Sequence, residues 1–445
     1  MNGTLRISRI FAIFCFLCAA LPLGAQIPGT LPQTLTIDDA VRYASERNLT
    51  ISQAQSSVEN AAARITSSFG SFLPQVTVQG GYTRQLTDGT IFVQGTPIPG
   101  NRSANNYQAQ ANASVQLFDG FNRTSVYSAA QSTYNATIQE LNRTRQQVTF
   151  QARSAFLNTL RVTQLIDVRQ TDLEVAREQL QRTRGLVEAG AAQMGTIYTQ
   201  EAEIANAELA LEQARTDALV ARNNLAFVLN VDPASDLRLS SEGLANSIDS
   251  AEISSIRRQI SSLATLLETQ RRNRPDLHAA EMRVEAARSQ IAAARSGYYP
   301  SVSAGVGYGW NRSDQTSSSD AQFNLNFLYT PFDGFRTNEQ VQLAEAQLQS
   351  AEIELRRQEL QARSDLQQSL ARMEGAERQL HAAEKAVAAA RQSRFAADER
   401  YKVGVGQYSD YLLASAQYLN AQINLVNAVF NFRLSLYEIR YHLGE

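Results

Sequence analysis

The sequence predicts an α+β membrane protein: a long α-helical barrel continuous with a transmembrane β-barrel, four strands per protomer, built as tandem duplicated halves. Three observations carry this. The first is repetition. Leu117-Phe118-Asp119-Gly120-Phe121 returns as Pro331-Phe332-Asp333-Gly334-Phe335, and Gly120 stands 70 residues before Gly190 just as Gly334 stands 70 before Gly404. Pro74 and Tyr82 are spaced as Pro300 and Tyr308 are. A duplication that keeps element lengths this closely means that length itself is constrained, and 70 helical residues reach roughly 100 Å. The second is strict alternation of polar with apolar residues in four segments. The third is an export leader on a chain with no later run of 18 apolar residues, so that strands rather than helices are left to cross a membrane.

The leader is residues 1–25. Arg6 and Arg9 precede an apolar run from Ile10 to Leu21, and Leu23-Gly24-Ala25 offers a cleavage site before Gln26. Both cysteines, Cys15 and Cys18, lie within it, preceded by Phe14 and Leu17 rather than by the small residues of a lipoprotein signal. The mature chain is therefore expected to hold no thiol or disulfide. Of the 445 residues 43% are hydrophobic, with one Trp and four Met, which suits long helices packed through small side chains better than a thick core. With 41 basic and 43 acidic residues, no nucleic acid is expected as a partner and no polybasic membrane patch is present.

The first repeat is residues 26–230. Thr36 opens a short helix with Asp39 as its capping-box partner, and helical pattern runs to about Ser71, stopping before Pro74. A strand over about 74–86 sets Val76, Val78, Gly80 and Tyr82 against Thr77, Gln79 and Gly81. After a loop at about 86–105 comes a strand over about 106–118. Tyr107, Ala109, Ala111, Ala113, Val115 and Leu117 face one way; Gln108, Gln110, Asn112, Ser114 and Gln116 face the other. Five polar positions in a row suit a strand with lipid outside and water inside.

Asp119 can accept the free N–H groups of a first helical turn, and Gly120 permits the sharp change of direction. The long helix over about 120–188 carries small or apolar residues at 126, 130, 133, 137, 141, 144, 148, 152, 155, 159, 162 and 166, then 173, 176, 180, 183 and 187. A turn at Gly190 leads to a helix over about 196–230, and 231–250, with Asp232-Pro233, is a linker. The second repeat, 251–445, follows the same order, with strands at about 300–311 and 321–332, a loop at 311–320, a long helix at about 334–402 opened by Asp333-Gly334, and a helix at about 408–442. Tyr298, Tyr299, Trp310, Tyr329 and Phe332 lie near strand ends, where an interfacial aromatic girdle belongs.

Four strands cannot close a barrel, and an open edge in lipid leaves backbone groups unpaired at several kcal/mol each. Copies must therefore pool their strands. Two copies give eight strands and an interior filled by side chains; the small polar inward face suits water, which favours three copies and twelve strands. With this order of elements, and above all with Tyr401-Lys402-Val403-Gly404-Val405-Gly406-Gln407-Tyr408-Ser409-Asp410 followed by Ala414, Gln417-Tyr418, Asn427 and Tyr437, the chain resembles the TolC-type outer-membrane efflux proteins over essentially its whole mature length.

That resemblance implies a homotrimer in outer-membrane lipid with its helical tube in the periplasm. It implies an exit duct for tripartite efflux or type I secretion, with a periplasmic adaptor (membrane fusion) protein and an inner-membrane pump as partners. It places adaptor docking at the tips, Gly190, Val403 and Gly404, and a periplasmic gate at Asp410 and Tyr401, Asp410 forming a ring of three carboxylates. The sequence departs from the family's gate: its second acid falls on Leu413, the basic partner of its latch on Gly406, and the opposing polar pair on Gly195 and Thr196. A mouth closed by packing and one carboxylate ring is expected. The competing expectation is an exported coiled-coil structural protein or adhesin without a pore. No enzyme and no cofactor is expected: His278, His381 and His442 are scattered, with no metal-ligand spacing and no nucleophile beside them.

Overall fold

The computed structural model describes residues 34–84, 90–99, 105–190, 192–235, 237–241, 262–314 and 316–445. The expected leader and half of the expected linker lie outside them. The first half contains α1 (Ile37–Arg47), α2 (Leu49–Gly70), β1 (Gln75–Arg84), a small hairpin of β2 (Thr90–Val93) and β3 (Thr96–Pro99), β4 (Asn105–Phe118), α3 (Asn122–Glu188) and α4 (Met194–Leu229). The second contains α5 (Leu263–Asn273), α6 (Pro275–Arg295), β5 (Ser301–Ser313), β6 (Ser317–Leu328), α7 (Arg336–Lys402) and α8 (Tyr408–Leu443).

Lengths repeat between halves. α1 and α5 have 11 residues each, α3 and α7 have 67, and α4 and α8 have 36. Thr36 caps α1 as its sequence suggests, accepting from the Asp39 N–H while the Asp39 carboxylate accepts from the Thr36 N–H. The chain between β1 and β4, read as plain loop, holds the β2–β3 hairpin as well.

The four long strands form one antiparallel sheet in the order β1-β4-β5-β6. β6 occupies Ser317–Leu328 rather than 321–332. The reason lies at both ends. The turn out of β5 is tight, with the Ser313 N–H donating to Thr316 O at 2.8 Å, so the ladder already begins at Arg312 opposite Ser317. At the other end β5 starts only after Pro300, and beyond Leu328, opposite Ser301, the chain offers β6 no partner strand. The expected loop at 311–320 thereby shrinks to a hairpin turn.

The long helices start at Asn122 and Arg336, two residues later than expected. Gly120 and Phe121 are both left-handed (φ +63° and +69°), as are Gly334 and Phe335 (+71° and +66°), so each helix begins after a two-residue reversal. On α3 the expected stripe is too narrow. Leu141, Val148, Ala152, Thr159, Val162, Leu173, Leu180 and Thr183 are buried, but so are Ala129, Ala136, Phe156, Leu157 and Leu160. α3 packs against α2, α4, α6 and α8 on different sides, and one stripe serves one neighbour.

Two apolar clusters lie at mid-tube. One gathers Leu35, Ile51, Leu141, Val148, Phe156, Leu157, Leu225 and Leu229 from the first half. The other gathers Leu266, Leu366, Met373, Leu380, Phe432, Ile439 and Leu443 from the second. Phe430 of α8 is buried in the first cluster and ties the halves together. Fully burying side chains of this size contributes about 1.5–3 kcal/mol each.

Candidate conduit and mouth

The sheet's two faces differ in chemistry along every strand. The register sets Gln79 opposite Gln110, Asn112 opposite Gly307, Ser114 opposite Gly305, Gly307 opposite Gln322 and Gly305 opposite Asn324. This face is polar or glycine up to its junction end, where Leu328 stands opposite Ser301. Gln79 donates to Gln110 Oε1 at 2.9 Å across strands, and Gln110 donates to Asn112 Oδ1 at 3.1 Å. The glycines of β5 leave room for these amides to lie flat. A Cβ on Gly307 would stand 2.7 Å from Asn112 Oδ1, and one on Gly305 would fall on Asn324 Oδ1. The reverse face pairs Val302 with Phe327, Ala304 with Leu325 and Val306 with Phe323. Its side chains stand bare: Val78 is 79% exposed and Phe323 70%. Near its outer end Tyr82 and Tyr107 pack with ring centroids 5.0 Å apart. An apolar face this bare with a polar reverse fits a sheet between lipid and water.

Asp119 and Asp333 join sheet to tube. Asp119 Oδ2 accepts from the Arg123 N–H at 3.0 Å and from Arg123 Nε at 2.9 Å; Asp333 Oδ2 accepts from the Thr337 N–H at 2.8 Å and from Thr337 Oγ1 at 2.6 Å. Each carboxylate thus reaches four residues on to cap a helix whose N-cap position holds an uncapping phenylalanine. A bulge at Leu117, between Gln116 and Phe118, bends β4 just before this junction. Here a recess of about 1080 Å³ opens on the polar side, lined by Gln116, Asp119, Arg123, Asp333, Arg336 and Gln340 among others.

The far ends of the hairpins carry the other expected residues. Gly190 and Gly404 are left-handed (φ +73° and +76°) at the ends of α3 and α7. At the second tip the N–H groups of Val405 and Gly406 both donate to Arg400 O, at 3.1 and 3.0 Å, leaving the Val403 and Val405 side chains 69% and 78% exposed. Gly406 sits where a Cβ would press on Arg400 and the Tyr401 N atom. Asp410 is exposed in the first turn of α8, and Leu413 is exposed one turn on.

Tyr401, in the last turn of α7, packs across the turn against the first turn of α8. It lies in a cluster with Tyr408 and Tyr411, ring centroids 5.6 and 6.3 Å away, and its hydroxyl is buried with no hydrogen-bond partner. Burial, with Glu203 nearby, pushes the Tyr408 phenol up to about 12. This cluster escaped the sequence reading, although Tyr408 and Tyr411, one turn apart at the start of α8, with Tyr401 just before the turn, could have signalled it. The signature residues on α8 also acquire partners: Asn427 accepts from Arg161 at 2.8 Å, Tyr437 lies under Arg153 and Tyr418 under Arg394. His278 and His381 rest beside Glu281 and Glu384 at the surface, and His442 lies in the mid-tube belt near Asp365 and Glu438. Among the described residues no group of His, Cys, Asp or Glu is placed to hold a metal ion, and no helix is long and apolar enough to cross a membrane.

A lipid-facing antiparallel sheet that runs through capped junctions into paired 67-residue helices defines a channel protein of the outer membrane, its helices forming a tube in the periplasm. Residues 40–231 and 266–445 match the family described as Outer membrane efflux protein, and the chain belongs to that family. Among curated relatives it is similar to Protein CyaE of Bordetella pertussis, 28% identical over 238 residues, 52% of this chain and 48% of that protein. The chain thus aligns with about half the length of the curated relatives it matches. Among solved structures it shares its fold with the outer membrane channel CmeC of Campylobacter jejuni (TM-score 0.76, 18% identity, 92% of this chain and 85% of that one). It shares it equally with the open state of the Neisseria gonorrhoeae outer membrane channel MtrE (0.75, 20%, 92% and 88%). Family and fold are those of channel proteins rather than enzymes.

Proposed function

We propose that three copies of this chain form the exit duct of a tripartite efflux or type I secretion system, passing substrates from a periplasmic adaptor and inner-membrane pump to the outside. The observation that carries this is the open four-stranded sheet, apolar on one face and lined with amides and glycine on the other. Alone, it strands two edges of backbone groups in lipid; in three copies it closes at twelve strands around water. The exposed valines and left-handed glycines at the tips, Gly190, Val403 and Gly404, form the adaptor's docking surface.

Asp410, one carboxylate per copy in an exposed first turn, narrows the mouth as a ring of three. The Tyr401–Tyr408–Tyr411 cluster holds the second hairpin closed by packing, in place of the salt-bridged latch this chain lacks. Asp119 and Asp333 fix the angle at which strand becomes helix. The test is conductance across planar bilayers of the purified, detergent-extracted protein. A single conducting trimer is expected, with block by divalent or trivalent cations that weakens at least tenfold in Asp410→Ala. A chain that neither trimerises nor conducts ends this reading; unchanged block in Asp410→Ala removes the carboxylate ring from it.

A further inference from the structure

The lipid face of the sheet changes character toward its outer end, and the strand register gives the order row by row. Val76, Ala113, Val306 and Phe323 lie side by side across the four strands. Val78, Ala111, Tyr308 and Ala321 follow, then Gly80, Ala109, Trp310 and Ser319. The next row is Tyr82, Tyr107, Arg312 and Ser317, and the last sets Arg84 beside Asn105. Tyr308, Trp310, Tyr82 and Tyr107 form a belt of the kind that marks a membrane interface. Arg312 therefore stands level with the belt and Arg84 one row beyond it, both on the side that faces lipid. Arginine is tolerated at this depth because its stem lies along apolar surface while its head reaches the interface.

Both arginines are exposed, and among the described residues neither has a hydrogen bond, an ion pair or a ring contact. The polar groups around them bond with one another instead. Tyr82 Oη donates to Asn105 Oδ1 at 2.8 Å, and Asn105 gives its N–H and Nδ2 to Asp314 at 2.9 and 3.1 Å. Asp314, the acid on this rim among the described residues, is thereby turned onto Asn105, and both guanidinium groups keep their full donor capacity. Two strand spacings and two residues separate Arg84 from Arg312, so their Cα atoms stand about 12 Å apart. Side chains this long can converge on one headgroup between them.

The opposite rim has no such feature. There Phe118, Val302 and Phe327 close the lipid face, with Tyr329 and Phe332 beyond. Of the arginines nearby, Arg123 is bonded to Asp119 and lies over the Phe72 ring at 5.0 Å, and Arg336 lines the recess on the polar side. The sheet thus offers aromatic and neutral groups to one leaflet, and aromatic and cationic groups to the other. Bacterial outer membranes have the same asymmetry, since their outer leaflet is built from a glycolipid whose sugars carry phosphate. Guanidinium binds phosphate through paired, charge-assisted hydrogen bonds.

We propose that Arg84 and Arg312, beside the Tyr82–Tyr107 pair, form a binding site for the phosphorylated sugar headgroup of an outer-leaflet glycolipid. The two guanidinium groups take the phosphate, and the rings pack where sugar gives way to acyl chain.

Trp310, the one tryptophan of the chain, lies one row from Arg312 and reports occupancy. The full-length protein, extracted from the outer membrane and stripped of lipid in detergent, is titrated with lipid A. A saturable shift in Trp310 fluorescence is expected, and none with dephosphorylated lipid A. Arg84→Gln/Arg312→Gln is expected to weaken the titration about thirtyfold. Equal responses to lipid A with and without its phosphates overturn the proposal, and that comparison needs only the unaltered protein. An unchanged titration in the folded double variant removes these two arginines from the site. Equal titration by inorganic phosphate or by phosphatidylglycerol shows an anion site with no preference for the glycolipid and overturns that assignment.

Discussion

Where α1 meets the end of α4, the first half presents Asn48, Thr50, Asn224 and Val228; where α5 meets the end of α8, the second presents Arg274, Asp276, Glu438 and His442 at the corresponding positions. The backbone problem is the same in both, since a helix end must be satisfied beside a neighbouring cap. The first half solves it with neutral amides. Asn48 Nδ2 donates to Val228 O at 2.9 Å, and Asn230 Nδ2 donates to Arg47 O at 3.0 Å.

The second half solves it with charge. The buried Arg274 grips Asp276 with Nη2 and Nε at 2.6 and 3.0 Å, and Arg372 holds Glu438 at 2.7 Å. Arg143 of the first half and Gln270 donate to the last carbonyls of α8, at Tyr441 and His442. Duplication preserved the lengths of α1, α3 and α4 to the residue and left the chemistry of the waist free to diverge.

The largest effect expected from breaking either waist comes from Phe156, fully buried in the first cluster. Phe156→Ala should cost about 4 kcal/mol, read as lost hydrogen-exchange protection in α3 and α4 with the second waist less affected. Next, Arg274→Met takes both hydrogen bonds from Asp276 and leaves it only Arg143, 3.8 Å away, and should cost about 3 kcal/mol, read in α5, α6 and the end of α8. Asn48→Ala, the matching change in the first half, should cost only about 1 kcal/mol. If the two losses prove equal, the contrast between ionic and neutral waists is wrong.

Gly120→Ala and Gly334→Ala sharpen the comparison from another side. Both carry the strain of a left-handed alanine, of order 1–2 kcal/mol, and only Gly120 adds a clash within its own chain. In purified monomer the Gly120 variant should therefore unfold more readily than the Gly334 variant.

Acid gives the smallest contrast. Burial alone would raise the Asp276 carboxyl, yet Arg274 and Arg143 hold it below the ordinary carboxylate range. His442, 3.9 Å away, and the Arg372 guanidinium hold Glu438 low too. Groups whose pKa values are lowered by folding contribute stability above their unfolded values, near 3.8 and 4.5, and lose it as pH falls through the folded ones. Exchange followed from pH 7 down to about 3 should therefore open residues 262–280 and 430–445 before 141–160 and 222–229.

Much of this architecture was legible because its signals are local. Alternation along β1 and β4, the Asp-Gly-Phe corners and the equal spans to Gly190 and Gly404 need only neighbouring residues to read. What escaped is assembled from afar. The ionic waist draws on positions 143, 274, 276, 365, 438 and 442, which no spacing rule connects. The start of β6 was hidden because Ser317, Ser318 and Ser319 look like loop, and only pairing with Trp310, Asn311 and Arg312 makes them strand. At the tips, Val187, Met194 and Ile197 stand where the second half has Tyr401, Tyr408 and Tyr411, so the tyrosine cluster could not be inferred by copying one half onto the other.

The equality of α3 and α7 bears on how such a chain can change. One inserted residue advances a helix by about 1.5 Å and turns it by about 100°, which would misplace every contact beyond it and stagger neighbouring tips. Longer reach is therefore accessible only through matched insertions in all four arms of the two hairpins, in steps near seven residues that bring each buried face back into line. Related ducts should accordingly differ in reach by discrete, paired increments, while the chain between β1 and β4 grows or shrinks freely on its own.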